Sequence, residues 1–189
     1  KISITYRNTN GHISTATNSA LNLANGEFVT FLDHDDKLHP HALAAVVSKL
    51  NEDQGLDILY SDEDKIDEHG NRSAPFFKPG WSPDLLLSQN YTCHLSVYRK
   101  ALIDRLDGTR EGTEGAQDYD LILRATEQTE KIEHIPHVLY HWRAVEGSTA
   151  LGAQEKDYAH QRAIKVLNDA VSRRKLPAEV LETGLGAYH

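Results

Sequence analysis

The sequence is poor in residues that would cross-link the chain or carry it through a membrane. It has one cysteine, Cys93, among 189 residues, so an intrachain disulfide is impossible and a reducing compartment, the cytoplasm, is expected. No apolar run approaches the roughly 20 residues that a membrane-spanning helix requires. Methionine is absent and the first residue is Lys1, which we interpret as the sign of a fragment or a trimmed chain.

Positive charge is scarce as well. Lysine and arginine total 20 against 28 acidic residues, which gives a formal net charge of -8. A nucleic-acid-binding protein needs a basic surface patch, so we expect no nucleic-acid partner. The sequence also lacks a glycine-rich phosphate-binding loop, cysteines at zinc-binding spacing and a Gly-x-Ser-x-Gly nucleophile motif. A phosphate-bearing substrate would therefore have to be bound by a metal ion or by a few cationic side chains.

The pattern of apolar residues nevertheless predicts a folded α/β domain. Hydrophobic residues make up 39% and charged residues 25% of the chain, as in globular proteins. Strand and helix patterns alternate over the first sixty residues, an order typical of a mostly parallel sheet flanked by helices. The predicted strands are 1–6, 27–32, 56–60, 93–98 and 137–142, and the predicted helices are 13–24, 40–52, 100–106, 116–126 and 158–172.

Two stretches in the middle of the chain are predicted to lack regular structure. Residues 62–64 are three consecutive acids, which are typical of a solvated charged turn. Residues 75–83 contain three prolines, and proline at this density favours an irregular, extended segment.

The most informative motif is a run of acids after an apolar strand. Asp33, Asp35 and Asp36 directly follow residues 28–32. Acids at the end of a buried strand lie at the rim of the sheet, where open α/β proteins bind ligands. Crowded carboxylates raise one another's pKa unless a cation lies among them, and Mg²⁺ and Mn²⁺ prefer oxygen ligands. We favour a divalent-metal site over the alternative, a solvated turn that caps the next helix.

A second acidic segment lies at the start of a predicted helix. Gly115 precedes this helix, which places Asp118 and Asp120 in its first turn. The helix dipole stabilises carboxylates there, so a structural role is a strong alternative. The functional interpretation is that one of them is open to a cleft and acts as a general base.

Two further segments carry candidate binding residues. A strand that ends in His141 and Arg143 can offer an imidazole to a metal and a guanidinium to a phosphate, although His141 taken alone is more typical of a structural residue. Trp81 lies in a loop rich in proline and glycine, where aromatic side chains often stack on sugar rings. A loop that Trp81 pins to the core is the alternative, and we favour it slightly.

The order of these motifs resembles that of the family 2 glycosyltransferases with the GT-A fold. Residues 10–18 followed by 24–29 are similar to the family's helix-then-strand approach to its metal site, and residues 31–36 resemble its Asp-x-Asp motif. Residues 114–121 resemble the segment that holds its catalytic base. Residues 140–143 resemble the C-terminal His motif of a bacterial subgroup that builds surface polysaccharides.

This resemblance covers roughly residues 1–175 and has two departures. The family's first strand and the acid that contacts the nucleotide base normally precede Lys1, so we expect an N-terminally truncated, Rossmann-like GT-A domain. Gln117 and Thr17 stand where the family often has Glu and Arg.

The resemblance implies an activity and a set of site residues. The activity is inverting transfer of a sugar from a nucleotide-diphospho-sugar to an acceptor hydroxyl, in cell-surface polysaccharide biosynthesis of the O-antigen or capsule type. Asp118 would be the catalytic base, and a Mn²⁺ or Mg²⁺ ion would be bound by Asp33, Asp35 and His141. Asp33, through the donor ribose, and Arg143, through the phosphates, would bind the donor.

The resemblance also implies an acceptor site and a division of the chain. Trp81 and Asp120 would contact a saccharide or lipid-linked acceptor. Within one domain, residues 1–60 would form part of the nucleotide-binding half, residues 61–150 the acceptor and catalytic half, and residues 151–189 a C-terminal helix and tail.

Two other functions remain open on the sequence alone. The chain could be a catalytically incomplete fragment whose exposed sheet edge pairs with a partner. It could instead be a metal-dependent phosphohydrolase or nucleotidyltransferase, because these enzymes also use clustered carboxylates. Peripheral association with the inner membrane and a homo-oligomeric state are compatible with the sequence as well.

Overall fold

The computed structural model describes residues 1–144 and 153–182, without the side chains of residues 153–157. The strands are β1 (Phe28–Thr30), β2 (Lys37–Leu38), β3 (Ile58–Ile66), β4 (Arg72–Phe76), β5 (Ser96–Arg99) and β6 (Ile132–Arg143). The helices are α1 (His12–Leu21), α2 (Ala42–Glu52), α3 (Pro83–Ser88), α4 (Lys100–Arg105), α5 (Gln117–Ala125) and α6 (Ala153–Arg173). Within the described ranges, no helix combines the length and apolar character needed to cross a membrane.

The six strands form one mixed sheet flanked by helices, which confirms the predicted α/β class. The strand order is β1-β5-β3-β6-β2, and β4 pairs with the far end of β3. Of the pairings among the described strands, only that of β3 with β6 is parallel. The prediction of a mostly parallel sheet is therefore wrong. β1 and β3 do run in the same direction, but β5 lies between them and is antiparallel to both.

Two apolar cores cover the two faces of this sheet. Along β3, Ile58 and Tyr60 belong to one core and Leu59 to the other, because successive side chains of a strand point to opposite faces. The first core packs α4, α5 and α6 on the sheet, through residues such as Leu102, Leu123 and Val166. The second core packs α2 on the opposite face, through Ala42 and Val46.

The N-terminal segment and the acids of β3 depart from the sequence prediction. Residues 1–6 do not form the predicted strand, and Ile2 and Ile4 are exposed, since no strand in the described part of the chain pairs with them. Residues 62–64 are not a solvated turn but the centre of β3, and Asp62 and Asp64 are each 3% exposed. The alternation of apolar and polar residues predicted a strand at residues 1–6. A strand also needs a neighbouring strand to pair with, and this local pattern does not predict one.

The proline-rich stretch is also more regular than predicted. It includes the end of β4 and, after a loop, the first residue of the short helix α3. The hydroxyl of Ser82 caps α3 by accepting a hydrogen bond from the Leu85 amide at 3.3 Å, and Pro83 occupies the first helical turn, where proline is tolerated. This segment therefore leads the chain from β4 toward β5, which lies between β1 and β3.

Asp120 ties α5 to the preceding loop through a buried ion-pair network. Its side chain is fully buried, and it accepts hydrogen bonds from Arg110 Nε at 2.9 Å and from Arg124 Nε at 2.7 Å. Arg124 also donates to the carbonyls of Leu106 and Gly108. Because both carboxylate oxygens are occupied away from solvent, the structure does not support the predicted contact between Asp120 and an acceptor.

We expect Asp120→Asn to lower the free energy of unfolding by roughly 3–5 kcal/mol, because two guanidinium groups would lose their buried carboxylate. The matched control is Asp169→Asn, which removes the partly exposed second partner of Arg110 and should cost at most about 1 kcal/mol. Urea unfolding of both variants measures the difference. Equal losses would contradict a special role for the buried acid.

Candidate active site

A cavity of about 100 Å³ lies where the acid run after β1 meets the first turn of α5. Asp33 and Asp118 both line it, so the structure brings together the two acids that the sequence separates widely. His94, from the segment before β5, and Tyr140 from β6 add polar surface, and Phe31 adds an apolar wall. Ile13 and Thr17 of α1 and the isolated Thr109 also line it, so the cavity is built from six separate parts of the chain.

The acid run is fixed to the end of β6 by Asp36. The hydroxyl of Tyr140 donates to Asp36 Oδ2 at 2.5 Å, and the Arg143 amide donates to Asp36 Oδ1 at 2.7 Å. Burial, and then the contact with Asp36, raises the pKa of Tyr140, so its hydroxyl remains a donor. Arg143 Nε also donates to the Asp35 carbonyl at 2.5 Å. Asp36 is therefore an anchor, whereas Asp33 lines the cavity and the Asp35 carboxylate lies 3.7 Å from His34 Nδ1.

The environment of Asp33 disfavours its negative charge. Partial desolvation at the cavity raises the pKa of its carboxyl group, and the carboxylates of Asp36, Asp35 and Asp118 raise it further. His94 has the opposite effect. A cation bound beside Asp33 would relieve this repulsion, as expected for an oxygen-ligand site for a divalent ion.

Asp118, which also lines the cavity, is held by two donors. Asn90 Nδ2 donates to Asp118 Oδ2 at 2.9 Å, and Cys93 Sγ donates to the same oxygen at 2.8 Å. Burial, and then the nearby Asp118 carboxylate, raises the pKa of the Cys93 thiol well above its ordinary value. The thiol therefore remains protonated and can donate to Asp118.

The segment that carries these donors is fixed by a buried lysine that sequence reasoning missed. The Lys78 ammonium donates to Glu63 at 3.0 Å and to the backbone carbonyls of Cys93 and His94. Its side chain is 0% exposed, and burial lowers its pKa while Glu63 opposes that shift. The Lys78 amide donates to Asp62 Oδ1 at 2.9 Å. The sequence carried one signal of this contact, because the apolar residue at position 66 indicates that the strand continues beyond the acids at 62–64. Acids inside a buried strand need a cationic partner such as Lys78.

The structure does not bring His141 into the acid run. Its Nδ1 atom lies 2.6 Å from Asp64 Oδ1, and its side chain is 9% exposed. Tyr140 lines the cavity, and the next side chain along a strand points to the opposite face. The predicted role of His141 as a metal ligand with Asp33 and Asp35 is therefore not supported, and the Asp64 contact accounts for this residue.

Trp81 and Arg143 lie where they brace the site. Trp81 packs against the first core and stacks on Tyr91 with ring centroids 6.4 Å apart, and it is not among the residues that line the cavity. The structure therefore supports the alternative in which Trp81 pins its loop to the core, rather than the one in which Trp81 stacks on a sugar. Arg143 donates to the carbonyls of Asp35 and Asp67, so its guanidinium fastens the acid run at the rim.

The chemistry of these residues fits a shared metal site rather than a closed protein cage. Among residues 1–144 and 153–182, no three His, Cys, Asp or Glu side chains are grouped as ligands of one ion. Mg²⁺-type ions are often bound by one or two carboxylates together with substrate phosphates and water. Asp33 and Asp35 suit that arrangement, with the remaining ligands supplied by a bound diphosphate.

Comparison with known proteins agrees with this architecture. The model of the family described as Glycosyl transferase family 2 matches residues 1–107. The O-antigen biosynthesis protein RfbC of Myxococcus xanthus is 41% identical over 180 residues, which cover 95% of this chain and 14% of RfbC. The chain thus spans only a small part of the length of this relative.

Solved structures share the fold at low sequence identity. Residues 1–349 of Staphylococcus aureus TarS in complex with UDP-GlcNAc superpose with a TM-score of 0.66 and 22% identity, over 96% of this chain and 52% of that TarS fragment. The mannosyltransferase PcManGT of Pyrobaculum calidifontis, in complex with GDP-Man and Mn²⁺, gives 0.51 and 15%, over 89% of this chain and 56% of that enzyme. The family match over more than half of the chain, together with the close relative, shows that this protein belongs to glycosyltransferase family 2 and has the GT-A fold.

Proposed function

We propose that the site transfers a sugar from a nucleotide-diphospho-sugar to an acceptor hydroxyl, with inversion at the anomeric carbon. The observation that carries this proposal is that Asp33 and Asp118 line one cavity although they come from opposite halves of the chain. One acid belongs to a crowded carboxylate run that suits a metal and a diphosphate. The other has a fixed orientation that suits proton abstraction.

The acid run would bind the leaving group. Asp33 and Asp35 would hold Mn²⁺ or Mg²⁺, and such an ion, when bound, neutralises the negative charge that grows on a departing diphosphate. Arg143 would add positive charge at the same rim, since its guanidinium already contacts the carbonyl of Asp35. The net charge of -8 makes such local compensation necessary.

Asp118 would be the general base. In the proposed step, the acceptor oxygen forms a bond to the anomeric carbon on the face opposite the diphosphate. The bond from that carbon to the phosphate oxygen breaks, and its electron pair leaves with the nucleoside diphosphate. The acceptor proton passes to the Asp118 carboxylate, which must be within hydrogen-bond reach of the acceptor hydroxyl.

The comparisons support the substrate class and suggest a biological role. The two structural relatives are complexes with UDP-GlcNAc and with GDP-Man and Mn²⁺, so nucleotide sugars fit this fold. RfbC is named for O-antigen biosynthesis. We infer a role in cell-surface polysaccharide assembly, with a saccharide or lipid-linked acceptor.

Nucleotide binding should depend on the acid run. UDP or GDP at about 100 times its Kd, with Mn²⁺ present, should stabilise the protein by about 2.7 kcal/mol, which raises the melting temperature by several degrees. EDTA and the substitution Asp33→Asn should each remove most of this shift. The control Asp84→Asn changes an exposed acid of α3 outside the cavity and should leave the shift intact. No shift with either nucleotide would favour a catalytically incomplete fragment.

Sugar transfer should require Asp118, whereas nucleotide binding should not. With UDP-GlcNAc or GDP-mannose as donor and methyl glycosides as acceptors, Asp118→Asn should lower the rate of nucleotide release by roughly 10²–10⁴-fold. Its nucleotide-induced melting shift should match that of the parent protein. If Asp118→Asn kept full activity while Asp35→Ala abolished it, the site would be a metal-dependent phosphohydrolase and the transferase proposal would fail.

A further inference from the structure

The hydrogen bonds that side chains donate to Asp118 are distributed unequally between its two carboxylate oxygens. Both of its hydrogen bonds from other side chains reach one oxygen, Oδ2, from Asn90 at 2.9 Å and from Cys93 at 2.8 Å. No side chain in the described part of the chain donates to Oδ1. The carboxylate therefore presents one occupied oxygen and one that is available to a ligand in the cavity.

Asn90 makes this contact at a cost to its own hydrogen bonding. Its amide oxygen Oδ1 is buried and has no hydrogen-bond partner among the described residues. A buried polar atom without a partner destabilises the folded state. The reverse orientation of the amide would direct its oxygen at the carboxylate, where two acceptors would face each other. The observed orientation thus favours Asp118 at the expense of Asn90.

Cys93 is positioned independently of Asp118. Its backbone carbonyl accepts a hydrogen bond from the buried ammonium of Lys78, which also binds the carbonyl of His94. Lys78 is anchored in turn by Glu63 of β3. The sheet therefore sets the position of the thiol, and the thiol in turn restrains the rotation of the Asp118 carboxylate.

We propose that Asn90 and Cys93 are positioning residues that hold Asp118 through Oδ2 and direct Oδ1 at the acceptor hydroxyl. The proposal rests on the proposed function, because it assigns the oxygen that receives the acceptor proton. A general base acts only when its free oxygen faces the proton it removes, and small misplacements cost up to about 100-fold in rate. The Asn90 amide and the Cys93 thiol differ in chemistry but donate to the same oxygen of Asp118, and this shared acceptor fixes the orientation of the carboxylate.

The first test compares Cys93→Ala with Cys93→Ser in the nucleotide-release assay with UDP-GlcNAc or GDP-mannose, Mn²⁺ and methyl glycosides. Cys93→Ala should lower kcat by roughly 10- to 100-fold with an unchanged KM for the donor. Cys93→Ser keeps a donor at the same place and should restore most of kcat. Equal kcat values for Cys93→Ala and the parent protein, or failure of Cys93→Ser to exceed Cys93→Ala, would overturn the proposal.

The second test uses Asn90→Ala with a matched control. The control is Asn71→Ala, because Asn71 Nδ2 also donates to an aspartate, Asp67, at 2.8 Å but lies in an exposed turn. Asn90→Ala should lower kcat by about 10-fold or more and leave the urea midpoint nearly unchanged, since it removes one good contact and one unpaired acceptor. Asn71→Ala should leave kcat unchanged. A loss of stability in Asn90→Ala without a loss of kcat would show a merely structural role.

These outcomes separate the two proposals. If Asp118→Asn is inactive but the Asn90 and Cys93 variants behave like the parent protein, the positioning role is wrong and the transferase function stands. If the parent protein releases no nucleotide in response to any acceptor, or Asp118→Asn remains active, the proposed function fails and the positioning role fails with it.

Discussion

The burial of the Lys78 ammonium is the constraint on which the site depends. A cation that is 0% exposed must be surrounded by acceptors, and Glu63 and the carbonyls of Cys93 and His94 supply them. These acceptors come from β3 and from the segment that enters β5. One side chain therefore fastens the cavity wall to the central strand, and it explains why an acid, Glu63, occurs in the middle of that strand.

The same principle sorts the many acids of this chain into two groups. Asp62, Asp64 and Asp120 are buried, and each is satisfied by a cationic, imidazole or backbone donor. They hold strands and loops together. Asp33 and Asp118 instead face the cavity, and burial and neighbouring carboxylates raise the pKa of Asp33. The buried, paired acids therefore stabilise the fold, whereas the incompletely compensated carboxylates at the cavity are available to a ligand.

Local patterns in the sequence predicted most of the elements but few of their partners. The helical patterns of apolar residues predicted the bounds of α1, α2, α4 and α5 to within a few residues. Strand direction and order could not be predicted, because β5 enters the sheet between β1 and β3 from the middle of the chain. Pairing between distant segments is decided by packing, and a sequence pattern does not encode it directly.

The candidate site shows the same division. The acid run and Asp118 were singled out from their places after a strand and in the first turn of a helix, and Asp33 of that run and Asp118 both line the cavity. Asp120 was singled out from the same helix turn as Asp118, and His141 and Trp81 from a strand end and a loop, but the structure gives these three residues two arginines, Asp64 and Tyr91 as partners. Asn90, Cys93 and Lys78 were missed as site residues, since their roles come from contacts across 15 to 28 positions.

The proposed function requires the acid run and Asp118 to belong to one site. A crystal structure of this chain with UDP and Mn²⁺, with data collected for the anomalous signal of manganese, tests it most directly. We expect a manganese peak within ligand distance of Asp33 or Asp35 and of the diphosphate, with Asp118 lining the same cavity. A peak beside His141 and Asp64, or a nucleotide bound away from the cavity that Asp118 lines, would contradict it.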